Sequence, residues 1–228
     1  MSSNLVFRSL KRPSEMFRFS RKYHYCIRKA SRKAIDFAVK HYHELLERAL
    51  MDTTTIRYSK LVDDLGPWCP FYLMREKSAE VSLCDSPCRF RSGNYTAYHL
   101  NADGNLLLIR KHFKSFPCDD ILCFEFEGAL YYVTFSKEKH YDYFTSYRIT
   151  YQDKRPIDTA MMNDLFLWAE HVDWSRTYDG NGEFVCSGYV FFSSAKVILP
   201  GKKMGTYRFL LDNDHVYDVI EEDKPDSF

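Results

Sequence analysis

Apolar residues recur at three- and four-residue spacing early in the chain. Between Tyr23 and Leu50, the residues Ile35, Ala38, Tyr42, Leu45, Leu46 and Ala49 fall on one side of a helical cylinder. Arg28, Lys29, Arg32, Lys33 and Asp36 fall largely on the other side. This spacing predicts an amphipathic helix over 23–50. Thr53-Thr54-Thr55 ends it, and Ile56 to Leu65 reads as a short second helix closing at Gly66-Pro67.

From Trp68 to about Thr150 the pattern changes to strands. Phe71–Arg75 and Glu80–Leu83 are the first of them. Tyr95–Leu100 and Asn105–Arg110 flank Asn101-Ala102-Asp103-Gly104, a hairpin in which glycine supplies positive φ. Ile121–Glu127 and Leu130–Ser136 flank Gly128, a second hairpin. Leu122, Phe124 and Phe126 alternate with Cys123, Glu125 and Glu127, as a half-buried strand requires. Tyr143 to Tyr151 alternates in the same way.

Pro156 to Val172 reads as a second long helix, with Ile157, Met161, Leu165, Trp168, Ala169 and Val172 on its apolar face and proline in its first turn. After the turn Asp179-Gly180-Asn181-Gly182 come strands at Phe184–Ser193, Thr206–Leu211 and His215–Ile220, with Lys196–Leu199 as a continuation or a fourth. Short connections forbid parallel neighbours. The expected class is therefore α+β, mainly antiparallel sheet packed with two long helices, in the order helix, β-group, helix, β-group. The expected division is a basic arm at 1–22, one α+β domain at 23–220 and an acidic tail at 221–228.

Composition sharpens this picture. Hydrophobic residues make up 45% of 228, enough to exclude wholesale disorder. No apolar run reaches the length of a membrane span, and the start lacks the basic and apolar segments of a signal peptide. Seven cysteines, an odd number, suit reduced thiols in a cytoplasmic setting, that of the host if the protein is viral.

The formal net charge of +1 conceals a dipolar layout. Residues 1–60 hold 14 Lys/Arg against 5 Asp/Glu, and the remainder hold 18 against 26. Such asymmetry points to a polyanion for the front of the chain and an interaction tail at the back. Cations in the first half of the 23–50 helix oppose its macrodipole, so helix stability does not explain them.

Several residue groupings bear on chemistry. Cys84-x3-Cys88 and Cys118-x4-Cys123 have spacing admissible for zinc, although Cys123 falls inside a strand, and ordinary thiols are the simpler reading. His41 and His43, at i and i+2, do not face one ligand. Asp119-Asp120, Glu125 and Glu127, with Lys137 and Lys139 beyond, loosely resemble a metal-dependent nuclease core, without its tight Glu-x-Lys signature. Phosphate-loop, dinucleotide and hydrolase motifs do not occur.

The combination of cations and rings points elsewhere. Single-stranded nucleic acid is held by cations along its backbone and aromatic faces under its bases. Arg18, Arg21, Lys22, Arg28, Lys29, Arg32 and Lys33 supply the first, aided by Lys202 and Lys203 in a glycine-flanked turn. Tyr143, Tyr147 and Tyr151 are the principal candidates for the second, with Tyr131, Tyr132 and Phe144 beside them. Glu221 to Phe228 resembles the acidic, phenylalanine-ended C-terminal tips of bacterial and phage single-stranded-DNA-binding proteins. That resemblance covers these eight residues only, and the body has no five-stranded OB pattern. It implies that Asp226 and Phe228 dock a protein partner and compete with nucleic acid.

The expectation is a non-catalytic protein binding single-stranded DNA or RNA, of phage or viral type, with no cofactor and no metal. Its partners would be nucleic acid and a tail-docked protein, with no membrane, and a homo-oligomer is compatible. The alternatives are a protein-interaction module, such as an inhibitor or counter-defence protein, and a metal-dependent nuclease.

Overall fold

The computed structural model describes residues 20–60, 83–87, 93–115, 119–135, 146–152, 155–162, 166–178, 181–194, 197–198, 202–212 and 215–223. Among the described residues two helices come first, α1 (Ser20–Lys40) and α2 (Tyr42–Met51). The strands follow: β1 (Thr55–Lys60), β2 (Tyr95–Leu100), β3 (Leu106–His112), β4 (Asp119–Phe126), β5 (Ala129–Phe135) and β6 (Ser146–Gln152). The second half contributes β7 (Arg155–Met162), β8 (Phe166–Tyr178), β9 (Asn181–Ser194), β10 (Val197–Ile198), β11 (Lys202–Asp212) and β12 (His215–Asp223). All pair antiparallel in chain order from β1 to β9 and on to β11 and β12, with β10 added against β9. The protein is thus α+β, dominated by one antiparallel meander.

The helices cover part of one face. α1 packs on β5, β6 and β7, and α2 on β3 and β4. Ile27, Ala34, Ile35 and Ala38 meet Ala129, Tyr131 and Val133 of β5, Ala160 and Met162 of β7, and Leu167 and Ala169 of β8. Ala49 meets Leu108 and Leu122. Ser31, Ala34 and Ala38 are essentially sealed from solvent, so short side chains let α1 lie close to the sheet. Burial of a residue such as Ile27 contributes about 1.5–3 kcal/mol.

The opposite face is also apolar. Cys123, Tyr132 and Ile149 form one cluster there, and Val172, Phe184, Cys186 and Phe209 another. In the second cluster the rings of Phe184 and Phe209 stack at 4.6 Å, and Trp174 leans on Phe184 at 4.7 Å.

Three sequence expectations are corrected. The 23–50 helix is two helices meeting at His41, whose backbone departs from helical values (φ −112°, ψ 23°). The apolar stripe runs through the bend, which redirects α2 from the middle of the sheet toward β3 and β4. Ile56–Leu65 is not a helix where it is described. Thr55 to Lys60 is strand β1, paired with β2, as its β-branched start favours.

The largest correction is Pro156–Val172, which is the hairpin β7–β8. Both faces of these strands are partly covered, so no period-two alternation is visible in the sequence. Met161 and Trp168, read as one helical stripe, are instead cross-strand partners. Pro156 sits where β6 and β7 slip register, a position that tolerates a missing N–H. Among the described residues both helices therefore precede every strand, and helices do not alternate with β-groups.

The remaining strands lie within a few residues of expectation, and β12 extends to Asp223, taking in the first acids of the expected tail. Phe71–Arg75 and most of Glu80–Leu83 lie outside the described residues.

Candidate nucleic-acid interface

α1 has an inward side of Ile27, Ser31, Ala34, Ile35 and Ala38. Its outward side follows from the same helical period. Tyr25, Lys29, Arg32, Asp36 and Lys40, spaced by three or four residues, are all exposed, and Lys33 flanks them. A helix of 21 residues is about 30 Å long. The whole of α1 carries seven cations and a single acid, Asp36, with none in the first turn, where an acid would favour the helix dipole. Arg21 and Lys22 occupy that first turn.

Of the cations singled out in the sequence, Lys29, Arg32 and Lys33 share this surface, and Arg28 is half-buried on its flank. Lys40 and Tyr25 extend the surface at both ends. Sequence reasoning passed over these two, although their spacing from Lys29 places them on the same stripe. Tyr25 is 59% exposed, an uncovered ring beside the cations.

The expected aromatic partners are elsewhere. Tyr147 packs with Cys123, Tyr132 and Ile149 on the face away from the helices. Tyr151, 47% exposed, neighbours Tyr132 on that same face, and burial raises the pKa of its phenol. The sheet stands between these rings and α1, so they do not form one strip with its cations. Lys202 and Lys203 are in β11, opposite Val190 and Tyr189 of β9, rather than in an open turn. Arg18, Tyr143, Asp226 and Phe228 lie outside the described residues.

Lys33 is tied to the sheet. Its Nζ donates to Glu127 Oε1 at 3.0 Å, with both side chains about half exposed. Glu127 and Gly128 form the two-residue turn of the β4–β5 hairpin, and both have positive φ (46° and 77°). Glutamate is a poor residue for that conformation, whereas Asn-Gly suits it. The exposed ion pair contributes at most about 1 kcal/mol. Glu127→Asn is therefore expected to raise stability by about 0.5–1 kcal/mol. Urea unfolding checks this, and a lowered midpoint refutes it.

Two other polar clusters are enclosed. Asp120 on β4 is fully buried and accepts from Arg110 Nε at 2.7 Å, Arg110 Nη2 at 3.2 Å and Tyr42 Oη at 2.8 Å. Burial, with Arg110 adding to it, lowers the pKa of neighbouring His99. Asp158 on β7 accepts from Thr150 and pairs with His171 Nδ1 at 2.9 Å. Ser187 stands next to His171 in cross-strand register, but its hydroxyl bonds Thr206 and the residue is 2% exposed.

Among the described residues the acids of the nuclease grouping do not come together. Asp120 shares the helix-covered face with Leu122 and Phe124, whereas Glu125 is out of step with them on the alternating strand and exposed. Glu127 is engaged by Lys33, and Lys137 and Lys139 lie outside the described residues. No group of three or more metal-ligating side chains occurs among the described residues. Cys123 is buried, which pushes its thiol pKa up, and Cys84 donates to backbone carbonyls of Tyr58 and Ser86. Cys88 and Cys118 lie outside the described residues. Comparison with protein-family profiles, with curated proteins and with solved structures found no match.

Proposed function

We propose that this protein binds single-stranded nucleic acid and holds its phosphate backbone along the outward face of α1. The observation that carries this reading is the exposed stripe of Lys29, Arg32, Lys33 and Lys40, in which Asp36 is the helix's one acid and Glu127 of the β4–β5 turn pairs with Lys33 across the surface. α1 is anchored by its opposite side, so these cations are presented on a rigid rod instead of a floppy arm. Tyr25 offers one uncovered ring on the same stripe, which suits bases that are not already paired. The acidic C-terminal segment, through Asp226 and the apolar Phe228, is proposed to recruit a protein partner.

A salt titration tests the reading. Each phosphate neutralised on a single strand contributes about −0.7 to the slope of log affinity against log salt, so four contacts give about −2.8. Affinity for a labelled single-stranded oligonucleotide, read by fluorescence anisotropy, should fall about 50-fold for a fourfold rise in salt. No binding at low salt, or binding indifferent to salt, overturns the proposal.

A further inference from the structure

Lys40, the last cation of α1, has ring neighbours where α1 meets α2. A cleft of about 420 Å³ opens at the α1–α2 junction. Val39, Lys40, His41, Tyr42, His43 and Phe135 line it. Tyr42 and Phe135 lie 4.8 Å apart between ring centroids, and His43 meets Tyr42 edge-on at 5.3 Å. Lys40, the last cation of the exposed stripe, is also a wall of this cleft. Val39 on the rim is itself exposed.

We infer that this cleft receives an unpaired base of the strand whose phosphates lie along α1. The inference rests on the proposed nucleic-acid binding and names its base-recognition site. A backbone following the stripe toward Lys40 arrives at a concavity walled by rings, and every base has a π-face that such rings accept. The volume lies within the range of small-ligand sites. Glu44 also lines the cleft, with its carboxylate 2.9 Å from His41 Nδ1. That pairing occupies one carboxylate oxygen, and the other can accept from a base's exocyclic amine. A duplex keeps its bases stacked, so this site favours single strands.

The test compares a deoxycytidine oligonucleotide, whose base carries an exocyclic amine, with an abasic oligomer of equal length on the full chain by anisotropy. The base-bearing strand should bind about tenfold more tightly, the scale of one stacked base. His43→Ala, at an exposed position, and Phe135→Leu, which keeps apolar bulk, should each narrow that ratio while leaving the abasic affinity unchanged. Equal affinity for both strands overturns the base site but spares phosphate binding along α1. A ratio that neither variant narrows overturns it too, by placing base contact elsewhere. If neither strand binds, the underlying reading fails and takes the base site with it.

Discussion

Replacing Asp120 by alanine is expected to remove about 3–5 kcal/mol of stability, the usual result of breaking one side of a buried ion pair. The carboxylate joins three elements. It lies on β4, grips Arg110 of β3 through Nε and Nη2, and accepts the Tyr42 hydroxyl from the first turn of α2. Burial, and after it the bond to Asp120, raises the Tyr42 phenol to about 12, so the phenol stays a neutral donor through ordinary pH. Without the carboxylate, the Arg110 guanidinium keeps its desolvation cost and loses the anion that offsets it. Tyr42 loses its acceptor, and α2 loses its polar tie to the sheet. Against a total of about 5–15 kcal/mol for a typical domain, the loss is large. Asp120→Asn preserves shape and one acceptor, and should cost less, about 1–3 kcal/mol. Urea unfolding of both variants decides the matter. An alanine variant within 1 kcal/mol of the parent would show that the network contributes little.

The same residue illustrates what sequence could and could not reveal. Asp119-Asp120 at a strand start reads as free acid available to a cation, because its partners are distant in the chain. Tyr42 is 78 residues away, and only the folded sheet brings it to the carboxylate. The β2–β3 and β4–β5 hairpins were legible because their turns are local. Asn101 Oδ1 accepts from the N–H groups of Asp103 and Asn105, and Gly128 takes positive φ as a tight turn demands.

The 156–172 segment was illegible for the opposite reason. Its residues satisfy a helical period by accident, since a strand covered on both faces imposes no alternation. The bend at His41 left no mark either, because one apolar stripe serves both helices. At the candidate site, the cations of α1 could be read from charge and period together. Their aromatic partners could not, because face assignment in a sheet depends on which side a helix covers. Tyr147 and Tyr151 fall on the side away from the helices, whereas Tyr42 and Phe135 line a cleft with Lys40.

Changing Lys29, Arg32, Lys33 and Lys40 together to alanine should weaken binding to a single-stranded oligonucleotide by about 10²–10³-fold at low salt. The size follows from the counterions that four phosphate contacts release, and the salt slope should flatten by about 2.8 in the same variant. Stability should respond quite differently. All four side chains are exposed, alanine is the better helix former, and the one ion pair lost, Lys33 with Glu127, contributes little. The unfolding free energy should therefore stay within about 1 kcal/mol of the parent. This separation of effects is diagnostic. A stripe that merely keeps the protein soluble would leave both affinity and slope unchanged. A stripe needed for folding would lower the unfolding midpoint. Only a surface that contacts phosphate directly loses affinity and slope together while the helix stays folded on its sheet, and measuring both quantities on one preparation separates the three cases.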